Sequence, residues 1–440
     1  MSKEMINICE SVLKTAKEAG ASDCRVAFNK SRFVEVGYRE HKPELVSEAS
    51  TQDINIQVFA DGCYSSRSTS DLRKNALKAF VIDSVESARL LEKDPFRNLP
   101  DPKYYQGKTS TDLKIYDPDY KTVTPDQRHA MARDLEAACL DAGGDRVISV
   151  STTVYDTVEE EIVLTSNGFS GERQSTLCYA VGEMTARDEG DRKPNGYDYA
   201  LGRSYRKLPS LSDLGKKTAL RTMDLMGAKK IPTETLPVII ENRDVSTVLN
   251  YFTSAMSGNA LQQKQSFLLD KKGEKIGSDI FTLIDDPHII EALGSRTYDS
   301  DGFATKKRTM VEKGVLNEYF IDWYRSRKLG VEPTTGGPSN LVLPPGKRSL
   351  TEIMKDLGRG ILINGFIGGN SNSNTGDFSI GITGKLFDKG EFTQNVAEMN
   401  IADNHLNFWT KLVEAANDPW AYSNIRMPSL VFKDILVSGI

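Results

Sequence analysis

Cysteine is scarce in this chain of 440 residues. Cys9, Cys24, Cys63, Cys139 and Cys178 are odd in number, include no C-x-x-C pair and stop at position 178. Both a disulfide framework and a cysteine-rich zinc site are therefore disfavoured. Histidine is scarcer: His41, His129, His288 and His405 lie far apart, and no His-Glu-x-x-His zinc helix can be written. No stretch approaches the roughly 20 apolar residues of a membrane span. The opening residues, Met1 to Glu10, carry charges where a secretory signal needs an unbroken apolar run. The expectation is a cytoplasmic protein without a membrane partner. Cations are not in excess, since 56 Lys and Arg against 61 Asp and Glu leave a net charge of -5. That argues against nucleic acid, because affinity for phosphate grows with the cations that displace condensed counterions. Glycine and proline, at 34 and 17 residues, are at ordinary globular levels, so disorder and collagen-like repeats are not expected.

At roughly 100 to 200 residues per domain, the chain should fold as two domains or three, each with its own core. Met5, Cys9, Val12 and Ala16 recur at helical spacing before Gly20. Strands are predicted over 25–28, 33–37 and 53–59, with Asp61-Gly62 as a turn, then a helix over 71–91. A Pro-rich crossing from Asp94 to Pro102 reads as a surface loop. A third helix, about 125–142, ends at Gly143-Gly144, and residues 147–206 read as β with a hairpin turn at Ser166-Asn-Gly168. The polar stretch 187–199 reads as a loop, and another helix spans about 211–226. The domain boundary falls near Pro232, giving an amino-terminal α+β domain over 1–232 and a β-rich domain over 233–440. The second opens with an apolar strand, 236–240, and a helix on which Val245, Val248, Leu249, Phe252, Ala255 and Met256 share one face, with Asn242 or Asp244 as its N-cap. Short helices are expected near 350–357 and 404–416. Strands and helices come in blocks, so the fold class is α+β, two domains with largely antiparallel sheets flanked by helices.

Few motifs carry chemistry by themselves. His288 and Glu291 make a possible ligand pair after Asp285-Asp-Pro287, but two ligands without a third rarely hold a metal. The nearest string to a serine nucleophile elbow, Gly168-Phe-Ser-Gly171, lies in a hairpin turn. The Gly-rich run from Gly365 to Gly376 lacks the Gly-Lys-Ser/Thr and the helix of a phosphate loop, and its glycines read as tight turns and close strand approach. Asp299-Ser-Asp-Gly302 begins like a calcium loop without its later acidic positions and reads as a solvated turn. Lys306-Lys-Arg308 reads as a solvated strand edge, and Trp323, Trp409 and Trp420 as core.

The carboxy-terminal half is more distinctive. The strings Ile284-Asp-Asp-Pro287, Gly294-Ser-Arg-Thr-Tyr-Asp-Ser-Asp-Gly302, Tyr324-Arg-Ser-Arg-Lys-Leu-Gly330, Asn374-Thr-Gly-Asp-Phe-Ser379 and Met399-Asn-Ile-Ala-Asp403 resemble, in order and spacing, the TldD/PmbA family. That family is described both as modulators of DNA gyrase and as metallopeptidases, and the resemblance spans nearly the whole chain. In its TldD branch the helix opening the second domain carries His-Glu-x-x-x-His, and a late cysteine completes a zinc site. Here Asn250 and Tyr251 stand at the first His and the Glu, Ala255 stands at the second His, and no cysteine follows Cys178.

The resemblance therefore implies the PmbA branch, also called TldE, with no metal ligand, no catalytic residue and no cofactor in this chain. Zinc is expected in a TldD-type partner, with which this chain forms a heterodimeric peptidase acting on unfolded peptides. The same resemblance implies a substrate cleft drawing on Asn250, Tyr251, Asp299, Asp301, Gly376, Asp377, Phe378 and Ser379. An internal cavity is expected around Asn250, Tyr251 and Ala255. Two other readings remain open: a homodimeric peptide-binding or chaperone-like module without peptidase activity, and an independent hydrolase using Asp285, His288 and Asp301.

Overall fold

The computed structural model describes residues 3–440; Met1 and Ser2, which open the charged amino-terminal stretch, lie outside it. The first half contains helix α1 (Lys3–Glu18), strands β1 (Asp23–Arg39), β2 (Lys42–Ala60) and β3 (Cys63–Thr69), and helix α2 (Lys74–Ala88). Helix α3 (Pro125–Gly143), strands β4 (Val147–Thr165), β5 (Ser170–Ala186) and β6 (Asn195–Gly202), and helix α4 (Leu211–Met223) follow. The strands form one antiparallel sheet in the order β3-β2-β1-β4-β5-β6.

Alternation along these strands sorts the two faces. Val26, Phe28, Ile54, Ile56 and Ile162 meet Met5, Cys9, Val12 and Ala16 of α1 and Val81 and Val85 of α2. Val36, Val154, Ala180 and Met184 share that parity and meet α3 and α4 through Leu135, Cys139, Leu214 and Ala219. All four helices therefore cover one face, and the other is left for the second half of the chain. Helix α3 starts where its sequence signals a start: Thr124 and Gln127 form a reciprocal capping box and Pro125 occupies the first turn.

The second half contains β7 (Glu234–Ile240), α5 (Val245–Ala255), α6 (Gly258–Gln262), β8 (Leu283–Asp285), β9 (Arg308–Glu312), β10 (Val315–Leu316), α7 (Trp323–Leu329), β11 (Leu341–Val342) and α8 (Leu350–Leu357). It ends with β12 (Arg359–Ser371), β13 (Asp377–Asp388), β14 (Glu391–Asn404), α9 (His405–Phe408), β15 (Leu412–Ala415), β16 (Ile425–Arg426) and β17 (Leu430–Ser438). The larger sheet runs β14-β13-β12-β7-β17-β15, and β14 also pairs with β17, so the sheet closes on itself. A smaller sheet runs β10-β9-β8-β11-β16. Pairing is antiparallel except between β7 and β12 and between β11 and β16, so the molecule is α+β with largely antiparallel sheets. One core joins α5 to both sheets, with Phe252, Phe281, Trp409 and Phe432 at its centre.

Several local expectations change. The two segments 25–28 and 33–37 are one strand, because Asn29 to Arg32 keep the main-chain ladder to β2 and β4 although their side chains are polar. The loop expected over 187–199 contains the start of β6, for the same reason. The helix expected over 404–416 is a single turn, after which Leu412–Ala415 pair with β17. The Pro-rich crossing continues to about residue 124 and is not simply a surface loop: Leu99, Tyr105, Leu113 and Tyr120 are buried. It straps the halves together, with Tyr104 stacked on Phe303 at 4.8 Å and Asp94 accepting from the Tyr324 hydroxyl at 2.7 Å. Trp409 and Trp420 are core residues, but Trp323 is only partly covered and donates its indole N–H to Asn98 across that strap. Among the described residues no helix is long and apolar enough to cross a membrane.

Candidate functional site

Helix α5 follows directly from β7, and its apolar stripe of Val245, Val248, Leu249 and Phe252 faces the core. The three positions of the family's metal motif diverge around it. Asn250 is exposed, Tyr251 half-buried, and Ala255 fully enclosed. Residues five apart on a helix are rotated by about 140° from one another, so one such position faces solvent and the other the core. Zinc needs converging imidazole, thiolate or carboxylate donors; an amide, a phenol and a methyl group on diverging faces do not fit it. Among the described residues no group of three or more His, Cys, Asp or Glu stands close enough to hold a metal. All five cysteines are buried in the first half, where burial pushes the thiols of Cys9, Cys24 and Cys178 up to about 12.

Beside Tyr251 stands a residue that sequence reasoning did not single out. His405 is fully buried, stacked on Phe267 at 5.2 Å, with Phe378 at 4.7 Å and the Tyr251 ring at 6.2 Å. Its Nε2 lies 3.2 Å from the Ser371 hydroxyl, while Nδ1 has no partner. Burial lowers its pKa to about 4, so the ring is neutral at neutral pH. A serine nucleophile needs a base that is itself oriented by a third group. With Nδ1 unbonded, the Ser371–His405 pair lacks that group. Only the position of His405, two residues beyond the Met399–Asp403 string, could have flagged it.

The predicted cleft residues fall into two groups. Gly376, Asp377 and Phe378 gather with Tyr251 around His405. Gly376 takes a positive φ of 84°, and a Cβ there would crowd Phe267 and Asn404. Asn404 and Thr375 both donate to the Asp377 carboxylate, holding its pKa below the usual range. Ser379 is exposed and donates to Asn400, and Asn250 faces solvent nearby in sequence to Tyr251.

Asp299 and Asp301 belong to a different place, against the strap. The solvated turn expected from sequence holds only at Ser300, which is exposed; the rest of the turn packs on the first half, with Gly302 against the Phe169 ring. Asp299 is buried and its carboxylate accepts from the main-chain N–H of Asp301 and of Phe303, each at 3.0 Å. Asp301 accepts from the Trp323 N–H at 2.8 Å, and burial pushes its pKa up to about 7. Asp285 is held by the Ser339 N–H and hydroxyl, both at 2.6 Å, and His288 by Thr305 at 3.1 Å. Asp285, His288 and Asp301 thus each bond elsewhere, and Glu291 pairs with Lys207 instead of joining His288.

The cavities lie away from α5. A cavity of about 850 Å3 opens between the strap and the second half, lined by Tyr104, Phe303, Lys306, Arg308, Tyr319 and Thr334 among others. Asp299 lines a smaller recess that shares Phe303, Lys306, Arg308 and Thr334 with it. Neither touches Asn250, Tyr251 or Ala255.

Comparison with known proteins gives this geometry its context. The model of the PmbA/TldA metallopeptidase central domain matches residues 118–226, and that of the C-terminal domain matches residues 233–439. A protein of Haemophilus influenzae named as a metalloprotease PmbA homolog is 29% identical over 435 residues, covering 97% of this chain and 94% of its own. A crystal structure from Bacteroides thetaiotaomicron, named as a modulator of DNA gyrase, superimposes with a TM-score of 0.97 at 37% identity, covering 100% of each chain. The structure of TldE from Thermococcus kodakarensis matches with a TM-score of 0.88 at 21% identity, covering 98% of this chain and 100% of that one, a likeness of fold.

Proposed function

The chain belongs to the TldD/PmbA family, and from that premise we propose that it is the PmbA/TldE-type subunit of a two-subunit zinc metallopeptidase acting on unfolded peptides. In this reading the chain is catalytically silent alone. The metal-binding subunit is a TldD-type partner, and this chain contributes walls that admit extended peptide and exclude folded protein.

The observation that carries the reading is the character of α5. Hydrolysis at neutral pH by a zinc enzyme needs three protein ligands and an acidified water. At the corresponding positions this helix offers Asn250 to solvent, Tyr251 to an aromatic cluster and Ala255 to the core. Filling that space with Phe252, Phe267, Phe378 and a neutral His405 makes it a structural centre. Peptide would instead meet open surfaces, where edges and clefts bind main-chain groups.

The test is reconstitution. This chain and a TldD-type subunit are purified separately and mixed, and cleavage of a casein-like unstructured substrate is followed with and without chelator. Chelator-sensitive activity that requires both chains is expected. Full activity from the partner alone, unchanged on adding this chain, would sink the proposal, as would chelator-sensitive cleavage by this chain alone.

A further inference from the structure

On the helix-free face of the first sheet, where it meets the second half, lies a pocket of about 450 Å3 whose lining includes Arg173, Arg203, Arg296, Glu159, Thr157 and Ser175. Arg173 and Ser175 stand on β5, Thr157 and Glu159 on β4, and Arg203 just beyond β6, all of one parity and so on one face. Arg296 comes from the Gly294–Gly302 string of the second half.

Two of the three guanidinium groups have no ion pair. Arg203 donates to the carbonyls of Thr176, Ala292 and Leu293, and Arg296 to that of Gly337, but neither has a carboxylate within ion-pairing distance. The Nε–H of each is buried without a partner. Asp285 and Asp299 act on Arg296 only from further off, and Arg173 raises the positive potential at both other arginines. Burial lowers the pKa of Arg203 to about 10 and that of Arg296 in the same direction, because their carbonyl bonds and the more distant acids, Glu159 for Arg203 and Asp285 and Asp299 for Arg296, replace only part of the lost hydration. Arg173 alone has an acid, Glu161 at 3.3 Å, and Glu159 is exposed at the rim. Keeping Arg203 and Arg296, neither with an ion pair, beside a cavity that Arg173 also lines is costly unless an oxyanion completes the site.

The same sheet face carries a row of rings that leads away from the pocket. Phe33, Tyr155 and Tyr179 follow one another at 5.7 and 4.7 Å across three strands, all half-buried, and the next ring, Tyr199, is covered by Arg243 and Trp420. A free phosphate has no use for the open rings of Phe33, Tyr155 and Tyr179, whereas they suit an extended peptide whose end enters the pocket. We infer that this seam pocket binds the carboxyl terminus of a peptide, its carboxylate held between Arg173, Arg203 and Arg296. The identity of the ligand as a peptide rests on the function proposed above.

Fluorescence anisotropy of the full chain tests it with a short unstructured labelled peptide bearing a free carboxyl terminus, the same peptide amidated, and inorganic phosphate as competitor. The free acid should bind at least about tenfold more tightly than the amide, the worth of a charge-assisted hydrogen bond. Arg173→Gln, which leaves the carbonyl bonds of Arg203 untouched, should abolish that preference, and Glu159→Gln should widen it. Equal binding of acid and amide would overturn the pocket while leaving a peptide-handling chain intact. Binding of neither peptide would overturn both readings for the isolated chain. Phosphate binding more tightly than the free-acid peptide would overturn the carboxylate assignment, and so would an unchanged preference in Arg173→Gln.

Discussion

Asp301, partly covered, and His405, fully buried, are titratable groups whose pH behaviour runs in opposite directions. For Asp301, burial lifts the folded-state pKa to about 7, far above the ordinary carboxylate value. The folded protein therefore binds that proton more tightly than the unfolded chain, and stability rises as pH falls through 7 toward about 4. Asp301→Asn removes the charge and keeps an oxygen for the Trp323 N–H. It should stabilise by about 1–3 kcal/mol at pH 8, with a clearly smaller gain at pH 5; a gain equal at both values in urea unfolding would contradict this. For His405 the folded pKa falls to about 4. Its contribution is complete above the unfolded value, about 6.5, and is lost as pH falls from there toward 4. His405→Phe should therefore flatten the decline of stability between pH 6.5 and 4 relative to the parent chain, by about 1–3 kcal/mol. An unaltered acid limb would show that the ring is protonated without cost.

At the scale of elements, α5 shows what a helix pattern can and cannot tell. Phe252 is fully enclosed, edge-on to Phe281 at 5.2 Å and to Trp409 at 5.6 Å. Phe252→Ala should cost about 3–5 kcal/mol through lost burial and the cavity left behind, whereas Asn250→Ala two residues earlier should stay within about 0.5 kcal/mol. Denaturant midpoints of the two variants measure the contrast, and comparable losses would mean that the helix faces are assigned wrongly. The stripe of this helix was legible because its apolar positions repeat with the helical period. Its start falls at Asp244, one of the two expected N-caps, but without a side-chain cap bond, and the Asn242 side-chain oxygen accepts from the adjacent Arg243 N–H instead. Elements defined by pairing were not legible in that way. Leu412–Ala415 look helical in isolation and become a strand only because β17 lies beside them, and β6 hides in a polar stretch that bonds through its main chain. The cluster around His405 was illegible because Tyr251, Phe267 and Phe378 approach it from three separate parts of the chain.

Across the whole molecule, the main cores of the two halves are separate, a small cluster of Phe169 and Tyr298 bridges them, and a buried ionic seam locks them together at the root of α5. Asp198, on β6, accepts from Arg243 at 2.6 Å and pairs with Arg221 of α4 at 3.2 Å, while Arg221 also reaches Glu241 at 2.8 Å. Arg243 lies over the rings of Tyr197 and Tyr199, so a cation of the second half is clamped by three residues of the first. Asp198 and Arg243 are nearly inaccessible, at 2% and 6% exposure, which makes their pairing a desolvated one. Such a pair contributes little net stability compared with apolar packing, but removing one partner strands the other charge, at a cost of about 3–5 kcal/mol. That cost falls on the seam more than on the apolar cores, because neither Asp198 nor Arg243 belongs to those hydrophobic clusters, although Asp198 shares the helix-covered face of β6 with Ala200. Asp198→Asn should therefore loosen the junction while each half keeps its own cooperative unit. Scanning calorimetry of the parent should give one coupled transition, and the variant should give two, the lower one displaced downward by several degrees. A single transition that merely shifts would mean that the strap from Asp94 to about residue 124, with its Tyr104–Phe303 stack, and the Phe169–Tyr298 contact suffice to couple the halves without the seam.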